Sequence, residues 1–200
     1  MRQLYIIILA IIIGTSSKAQ TDLPAGMEPY TYDTTLKGGY RISFQVDDSL
    51  QYLYLKKNNL TITELSSTSR GMLHQNLGYV GADFTNYFVL VHSFGGGNPH
   101  HIELYKKSTG KNLLKDGAFW IDADEEKEFL LYSDNDVPGK DDKMVLFNVR
   151  TGQKRYFGYP NDVFDGPEVL NRIHISKLTD KQLVINYDTD KGSKTKVYNR

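Results

Sequence analysis

The amino-acid sequence predicts an all-β fold built from repeated antiparallel units, and three observations support this prediction. Short runs rich in β-branched and aromatic residues alternate with clusters of Gly, Asn, Asp and Pro, which is typical of strands joined by tight turns. After residue 20, no stretch keeps an apolar stripe of helical period over 11 residues. Similar segments also recur at a nearly constant spacing, which indicates a repeat architecture.

Residues 1–19 have the layout of a cleaved signal peptide. Arg2 supplies a positive charge, and 4–14 is an uncharged apolar run of 11 residues, too short for the roughly 20 residues of a membrane-spanning helix. Residues 17–19 (SKA) place small residues before a cleavage site. We therefore expect an exported protein, periplasmic or extracellular, with no membrane span after cleavage. Residues 20–29 contain two prolines and a glycine and are expected to form a flexible leader.

The strands follow in order from residue 30 to the end of the chain. The period-two pattern and the density of strand formers predict strands at 40–46, 51–55, 60–65, 87–91, 101–105, 129–132, 144–149, 173–175 and 183–187. A strand is also expected ahead of each hairpin, in the segments FQVDDS, VGADFTN, WIDADEEK and HISKLTDK. Two further short strands are expected at NLL and RYF.

These strands group into repeats. The segments IELYKKSTGK and MVLFNVRTGQK are similar. When they are aligned, Thr109-Gly110 corresponds to Thr151-Gly152, which lies 42 positions later. Residues 197–199 form a shorter copy, and 62–71 a degenerate one. The sequence thus predicts one repeat domain over residues 30–200, with four meanders of about 40 residues each.

The repeated units resemble the blades of β-propellers, which are four-stranded antiparallel sheets. The resemblance covers residues 40–200 and concerns the architecture alone, because the chain contains no signature of a particular propeller family. It implies four blade-like units. Residues 29–35 are strand-like and are expected to pair with the last unit, where they would cover an open edge. A single β-sandwich or barrel is the alternative fold.

The composition excludes several kinds of chemistry. The chain has no cysteine, which excludes thiolate metal sites, cysteine nucleophiles and disulfides. Its 24 Lys and Arg balance 24 Asp and Glu, and loss of residues 1–19 leaves 22 against 24. No surplus of basic residues is available to neutralise a nucleic-acid backbone, so nucleic acid is not expected as a partner.

The loops on one face of the meander are predicted to carry the function. This face would hold the loops between the second and third strands of the units, at 56–59, 94–100, 134–142 and 188–194, together with the long connection 158–171. Enlarged loops in repeat proteins tend to lie on the binding face. The candidate binding residues are exposed aromatic, amide and acidic side chains: Phe94, Asn98, Asp134, Asp136, Tyr156, Tyr159, Asn161, Asp162 and Phe164.

No cofactor is predicted, and the motifs that suggest chemistry have simpler interpretations. Asp134, Asp136, Asp141 and Asp142 leave calcium as an alternative, but aspartate is also a common residue of hairpin turns. His92 and His101 could approach each other across one hairpin, and a zinc site there would need a third ligand, for example Glu103 or His174. The glycines 95–97 are followed by a proline and a strand, so a wide turn is expected there. No motif of catalytic residues is found.

The sequence therefore favours a non-enzymatic binding protein that holds a protein partner on the loop face; an inhibitor or an immunity protein would be of this kind. A carbohydrate-binding module or hydrolase of the cell envelope is the first alternative, with Tyr159 stacking on a sugar. A structural envelope component is the second alternative.

Overall fold

The computed structural model describes residues 33–72, 77–95, 99–114, 117–136, 139, 141–163 and 168–200. Within these residues the chain forms fifteen strands and two short 3-10 turns, at Lys37–Gly39 and Val169–Arg172, and no α-helix. The all-β class predicted from the sequence is confirmed. The predicted signal peptide and leader, residues 1–29, lie outside the described residues.

The strands form four consecutive meanders, numbered here as units. Unit 1 consists of β1 (Thr34–Leu36), β2 (Tyr40–Val46), β3 (Leu50–Lys57) and β4 (Leu60–Ser69). Unit 2 consists of β5 (Tyr79–Asp83), β6 (Tyr87–His92), β7 (His101–Lys106) and β8 (Lys111–Asn112). Unit 3 consists of β9 (Phe119–Asp124), β10 (Phe129–Ser133), β11 (Lys143–Asn148) and β12 (Lys154–Gly158). Unit 4 consists of β13 (Ile173–Leu178), β14 (Gln182–Thr189) and β15 (Gly192–Asn199).

All strand pairs are antiparallel, and they form three sheets, none of which closes on itself within the described residues. Unit 1 is a four-stranded sheet and unit 4 a three-stranded sheet, whereas units 2 and 3 share one eight-stranded sheet.

The hairpin turn between β3 and β4 has residues that tolerate its backbone conformation. Asn58 and Asn59 both have positive φ angles of 48° and 66°, which is the conformation that a two-residue hairpin between β3 and β4 requires.

Units 2 and 3 are joined by a segment that serves both of them. After β8, the backbone N–H of Leu113 still donates to Leu104 O of β7 at 2.8 Å. Further along, Ala118 O accepts from Ile102 N at 2.9 Å, and Trp120 N donates to His100 O at 2.8 Å. The stretch from β8 to the start of β9 therefore completes unit 2 before it becomes the first strand of unit 3.

Successive units pack face to face through three apolar clusters. The first lies between units 1 and 2, the second between units 2 and 3, and the third between units 3 and 4. In β10, Leu130 and Tyr132 belong to the second cluster, whereas Phe129 and Leu131 belong to the third. The middle units are thus buried on both faces, which explains why their strands have continuous apolar runs instead of alternating ones.

One end of the units carries the short turns after the first and third strands, and we call it the turn end. There, the buried Lys107 connects units 1 and 2. Its Nζ lies 2.6 Å from Asp83 Oδ1 and donates to Phe84 O at 2.6 Å and Lys37 O at 3.1 Å. The backbone N–H of Lys37 donates to the other oxygen of Asp83 at 2.7 Å. Asp83 and Lys107 both belong to unit 2, and their hydrogen bonds to the backbone of Lys37 link this buried pair to unit 1.

The structure corrects two expectations. Strand β1, the end of the strand-like segment predicted at 29–35, pairs with β2 and not with unit 4. Unit 1 therefore starts one strand earlier than predicted, and the turn at 56–59 follows its third strand. This turn lies beside Lys37 at the turn end, since Tyr40 pairs with Lys57, and not on the predicted loop face. Residues 29–32 lie outside the described part of the chain.

Candidate functional site

The outer strands of units 2 and 3 border a groove of about 380 Å³. Its floor consists of the buried side chains of Leu114, Ala118 and Tyr132. Its rim is formed by Leu113, Gly117, Asp134, Lys154 and Tyr156. We call this feature the loop-face groove.

Two of the predicted binding residues meet in the loop-face groove. Tyr156 projects from β12 with 60% of its surface exposed, and Asp134 follows directly after β10. Lys154, two residues before Tyr156 and on the same face of β12, places its Nζ 5.6 Å from the centre of the Tyr132 ring. The groove thus combines an exposed aromatic ring with one charge of each sign.

Strand β12 also offers an open backbone edge beside the groove. Asn148 N donates to Gln153 O at 2.8 Å, and this register makes Arg155 and Phe157 the residues of β12 that bond to β11. The backbone groups of Lys154 and Tyr156 consequently point away from the sheet. Among the described residues, no strand pairs with this edge.

Three other predicted residues lie on the connection to unit 4. Tyr159 packs against the third cluster, and burial raises the pKa of its hydroxyl to about 12. Asp162 accepts a hydrogen bond from Tyr187 at 2.9 Å and pairs with Lys194. The hydrogen bond from Lys194, followed by that from Tyr187, holds the pKa of Asp162 below its ordinary value. Asn161 is exposed. Tyr159 and Asp162 thus anchor the connection to the body of the protein.

Phe94 and Asp136, two further predicted residues, are not brought to the loop-face groove. Phe94 is 60% exposed in the connection between β6 and β7, and Asp136 is exposed in the connection after β10. Neither residue lines the groove. Asn98 and Phe164 lie outside the described residues.

Sequence reasoning missed Lys154 and Leu113 as site residues. The short strands NLL and RYF were predicted, but nothing in either segment indicates that they face each other across units 2 and 3. One pattern in the sequence could have identified Lys154 as a site residue. Lys154 and Tyr156 are separated by one residue on a predicted strand and therefore share a face.

A second and larger cavity, of about 1060 Å³, opens at the turn end, and we call it the turn-end cavity. Residues of all four units line it. Units 1 and 2 contribute Lys37 and Thr85, and units 3 and 4 contribute most of the charged side chains: Glu125, Glu126, Lys127, Glu128, Arg150, Arg155, Lys177, Asp180 and Arg200. This cavity was not predicted, because its residues come from turns that are far apart in the sequence.

The histidine and aspartate clusters considered from the sequence do not form a metal site in the described part of the chain, where no three His, Asp or Glu side chains are placed to hold an ion. His92 Nε2 lies 3.0 Å from Glu103, and the rings of His92 and His101 are 6.1 Å apart. Asp142 accepts a hydrogen bond from the backbone N–H of Gly139 at 2.5 Å. Calcium at the aspartates after β10 stays a prediction.

The pKa of Glu103 is set by burial, by hydrogen bonds with His92 and Tyr105, and by electrostatic interaction with His92 and His101. Burial by itself would raise the pKa of Glu103, but these contacts outweigh it and hold the pKa below its ordinary value. Glu103 also accepts a hydrogen bond from Asn112 at 3.1 Å. The cluster is therefore a set of satisfied polar side chains on β6, β7 and β8.

Comparisons with known proteins identify no family for this chain. No protein family matches the sequence, and no curated protein shows significant similarity to it. The crystal structure of the uncharacterized protein lmo1340 from Listeria monocytogenes EGD-e is similar over 83% of this chain, with 8% identity and a TM-score of 0.31. The chain spans about half, 52%, of the length of that protein. A similarity of this size carries no argument about fold or function.

No helix in the described residues has the length and apolar character that a membrane span requires.

Proposed function

We propose that the protein is an exported, non-enzymatic binding protein that holds a protein partner at the loop-face groove. The observation that carries this proposal is the meeting of Tyr156 and Asp134, two predicted binding residues, in one groove with Leu113 and Lys154. Exposed tyrosine beside apolar and charged side chains is the composition of energetically important interface residues.

The chemistry of the groove favours a protein over other partners. Leu113 and Tyr156 expose 42% and 60% of their surface, so a partner that covers both removes apolar area from water. The outward backbone groups of β12 can pair with an extended segment of a partner, a common mode of peptide recognition. A glycan would use Tyr156 and Asp134 but would leave this backbone edge unpaired.

Export and a propeller-like arrangement are parts of the same proposal. Export rests on the composition of residues 1–19. The propeller-like arrangement is supported by the ion pair between Lys37 of unit 1 and Glu125 of unit 3, at 3.1 Å, because it brings together turns on either side of unit 2. It is also supported by the turn-end cavity, to which all four units contribute. The strand segment shared by units 2 and 3 departs from a set of separate blades, and a β-sandwich is compatible with the same sheets.

Affinity capture from envelope and medium extracts tests the binding proposal. The bait is the chain from Gln20 onward, and the test variant carries Leu113→Ser and Tyr156→Ser. A matched control carries Leu60→Ser, which removes an apolar side chain that is 74% exposed at the turn end. We expect a captured protein, once purified, to bind the variant at least about tenfold more weakly than the parent and control, a difference of about 1.4 kcal/mol.

Equal binding of that protein to all three baits would rule out the groove as its site. If no protein is captured and a glycan array instead shows binding that requires Tyr156, the carbohydrate-binding alternative replaces the proposal.

A further inference from the structure

The turn-end cavity contains charged side chains that are already paired and others that are not. Lys37 pairs with Glu125 at 3.1 Å, and Lys127 lies 3.4 Å from Asp124 and donates to a backbone carbonyl at 2.8 Å. Glu128 accepts from the backbone N–H of Thr85 at 2.9 Å. These contacts hold the units together and commit the cations Lys37 and Lys127 to partners within the protein, whereas a paired carboxylate such as Glu125 keeps further acceptor capacity.

Several charged side chains of units 3 and 4 line the cavity without an ion-pair partner among the described residues, and most of them are positive. Arg155 and Lys177 are exposed, line the cavity and form no ion pair with any described residue. Beside them, the Arg200 guanidinium lies 4.4 Å from the centre of the Phe129 ring, and its Nη1 donates to Thr179 O at 2.6 Å. Its Nε is buried and has no hydrogen-bond partner among the described residues.

The surroundings of Arg200 disfavour its positive charge. Burial and the nearby positive charge of Arg155 both hold the pKa of Arg200 below its ordinary value, whereas Asp180 offsets this in part. Two guanidinium groups close enough to repel each other are stabilised by a shared anion, and arginine is well suited to planar carboxylate and tetrahedral phosphate groups.

The lining of the cavity also includes acceptors and small polar groups. Glu125 and Glu126 are exposed on the turn between β9 and β10, and Thr85, Asn148 and Thr179 line the same cavity. Carboxylate oxygens accept hydrogen bonds from hydroxyl groups. A ligand that fills the cavity therefore meets both cations and hydroxyl-binding groups.

We propose that the turn-end cavity binds a small anionic sugar, either a sugar acid or a sugar phosphate. Its acid group lies between Arg155, Lys177 and Arg200, and its hydroxyl groups donate to Glu125 and Glu126. The cavity is concave and has the volume of small-molecule sites, which favours a small ligand over an acidic protein segment. This inference does not rest on the proposed function, since it concerns the opposite end of the units and different residues.

Isothermal titration calorimetry at constant ionic strength tests the proposal with four probes: glucuronate, a hexose phosphate, glucose and inorganic phosphate. We expect each anionic sugar to bind at least about tenfold more tightly than glucose or inorganic phosphate. Glucuronate and the hexose phosphate also distinguish the two sources of the acid group. Arg155→Glu should abolish binding of both, whereas the control Arg70→Glu, an exposed residue after β4, should leave it unchanged.

Glu126→Ala provides a second variant, which removes both acceptor oxygens and leaves the cationic side chains in place. It should weaken binding of the anionic sugars relative to that of inorganic phosphate, which has no hydroxyl groups on a sugar ring to donate to Glu126. The proposal is overturned if neither anionic sugar binds, if inorganic phosphate binds as tightly as they do, or if Arg155→Glu binds like the parent. Tighter binding of a glutamate-rich peptide than of glucuronate would assign the cavity to an acidic protein segment instead.

Discussion

At the scale of single residues, buried and hydrogen-bonded charges decide how the units are held together. Lys107 is 1% exposed, and it reaches unit 1 only through its contact with Lys37 O. Because a buried charge without a partner is costly, Asp83 and Lys107 depend on each other. Neither residue stands out in the sequence, where both lie in polar turns that predict solvent exposure.

Lys107→Met should destabilise the protein by about 3–5 kcal/mol, because it leaves the Asp83 carboxylate mostly buried without its counter-charge. Urea unfolding followed by circular dichroism measures this loss. The exposed neighbour Lys106 provides the control, since Lys106→Met should change stability by less than about 0.5 kcal/mol. A Lys107→Met variant as stable as the parent would show that neither the ion pair within unit 2 nor the contact of Lys107 with Lys37 O contributes to stability.

Asp47 allows a direct test of local electrostatics. Its carboxylate accepts from the backbone N–H groups of Leu50 at 2.7 Å and Ser49 at 2.8 Å, and from the Tyr52 hydroxyl at 2.8 Å. These hydrogen bonds, in that order, lower the pKa of Asp47 from 3.8 to about 2. Because the folded state has the lower pKa, the stabilisation is present above pH 3.8 and is lost as the pH falls toward about 2.

Tyr52→Phe should raise the pKa of Asp47 part of the way back to 3.8, since the two backbone donors remain. Titration of the carboxyl carbon by NMR measures the value. Tyr54→Phe is the matched control: its ring lies 5.8 Å from that of Tyr52, but its hydroxyl does not donate to Asp47. If Tyr52→Phe leaves the pKa near 2, the hydroxyl makes no contribution.

At the scale of strands and turns, equivalent positions in the repeats have different surroundings. Gly110 and Gly152 close the turns after β7 and β11, with φ angles of 65° and 77°. A Cβ on Gly110 would lie 2.2 Å from Thr63 Cγ2 of unit 1, whereas a Cβ on Gly152 would meet nothing within 4 Å. The two glycines therefore share a backbone requirement but differ in packing.

Gly152→Ala should cost about 1–2 kcal/mol, the penalty for an L-residue in a left-handed conformation. Gly110→Ala should cost about 1–3 kcal/mol more, because it also overpacks the contact with Thr63. Chemical denaturation of both variants measures the difference, and Thr63→Ala should reduce it. Equal losses for the two alanines would mean that the turn of unit 2 does not press on unit 1.

The strands themselves were largely predictable, whereas their partners were not. The run YRISFQV predicts a strand at 40–46, and β2 has these bounds, because alternation and strand propensity are local properties. The pairing of Thr34–Leu36 with β2 depends on chain geometry that no local pattern records. The same limit applies to the candidate site: Tyr156 and Asp134 were predicted separately, but the register that brings Lys154 beside them was not.

At the scale of the whole molecule, the four units form a series in which each unit contacts its neighbours. Units 2 and 3 are buried on both faces, whereas the last strand of unit 4 keeps Val197 54% exposed. Stability in such a series is approximately a sum over units and the interfaces between neighbours. The end units therefore have fewer stabilising contacts than the middle ones.

Native-state hydrogen exchange should consequently be slowest for the amides of β6, β10 and β11 and faster by at least about tenfold for those of β15, because outer elements open at lower free energy. Mass spectrometry or NMR under native conditions measures these rates. Uniform protection across all four units would indicate that the domain opens only as a whole.

The segment shared by units 2 and 3 also limits how this protein can be rearranged. A cut between β8 and Ala118 separates Ile102 of β7 and the preceding His100 from their hydrogen-bond partners Ala118 and Trp120. Deletion or shuffling that treats each unit as a separate module would therefore break these hydrogen bonds. The smallest part of the chain that can be transplanted with them intact consists of units 2 and 3 together.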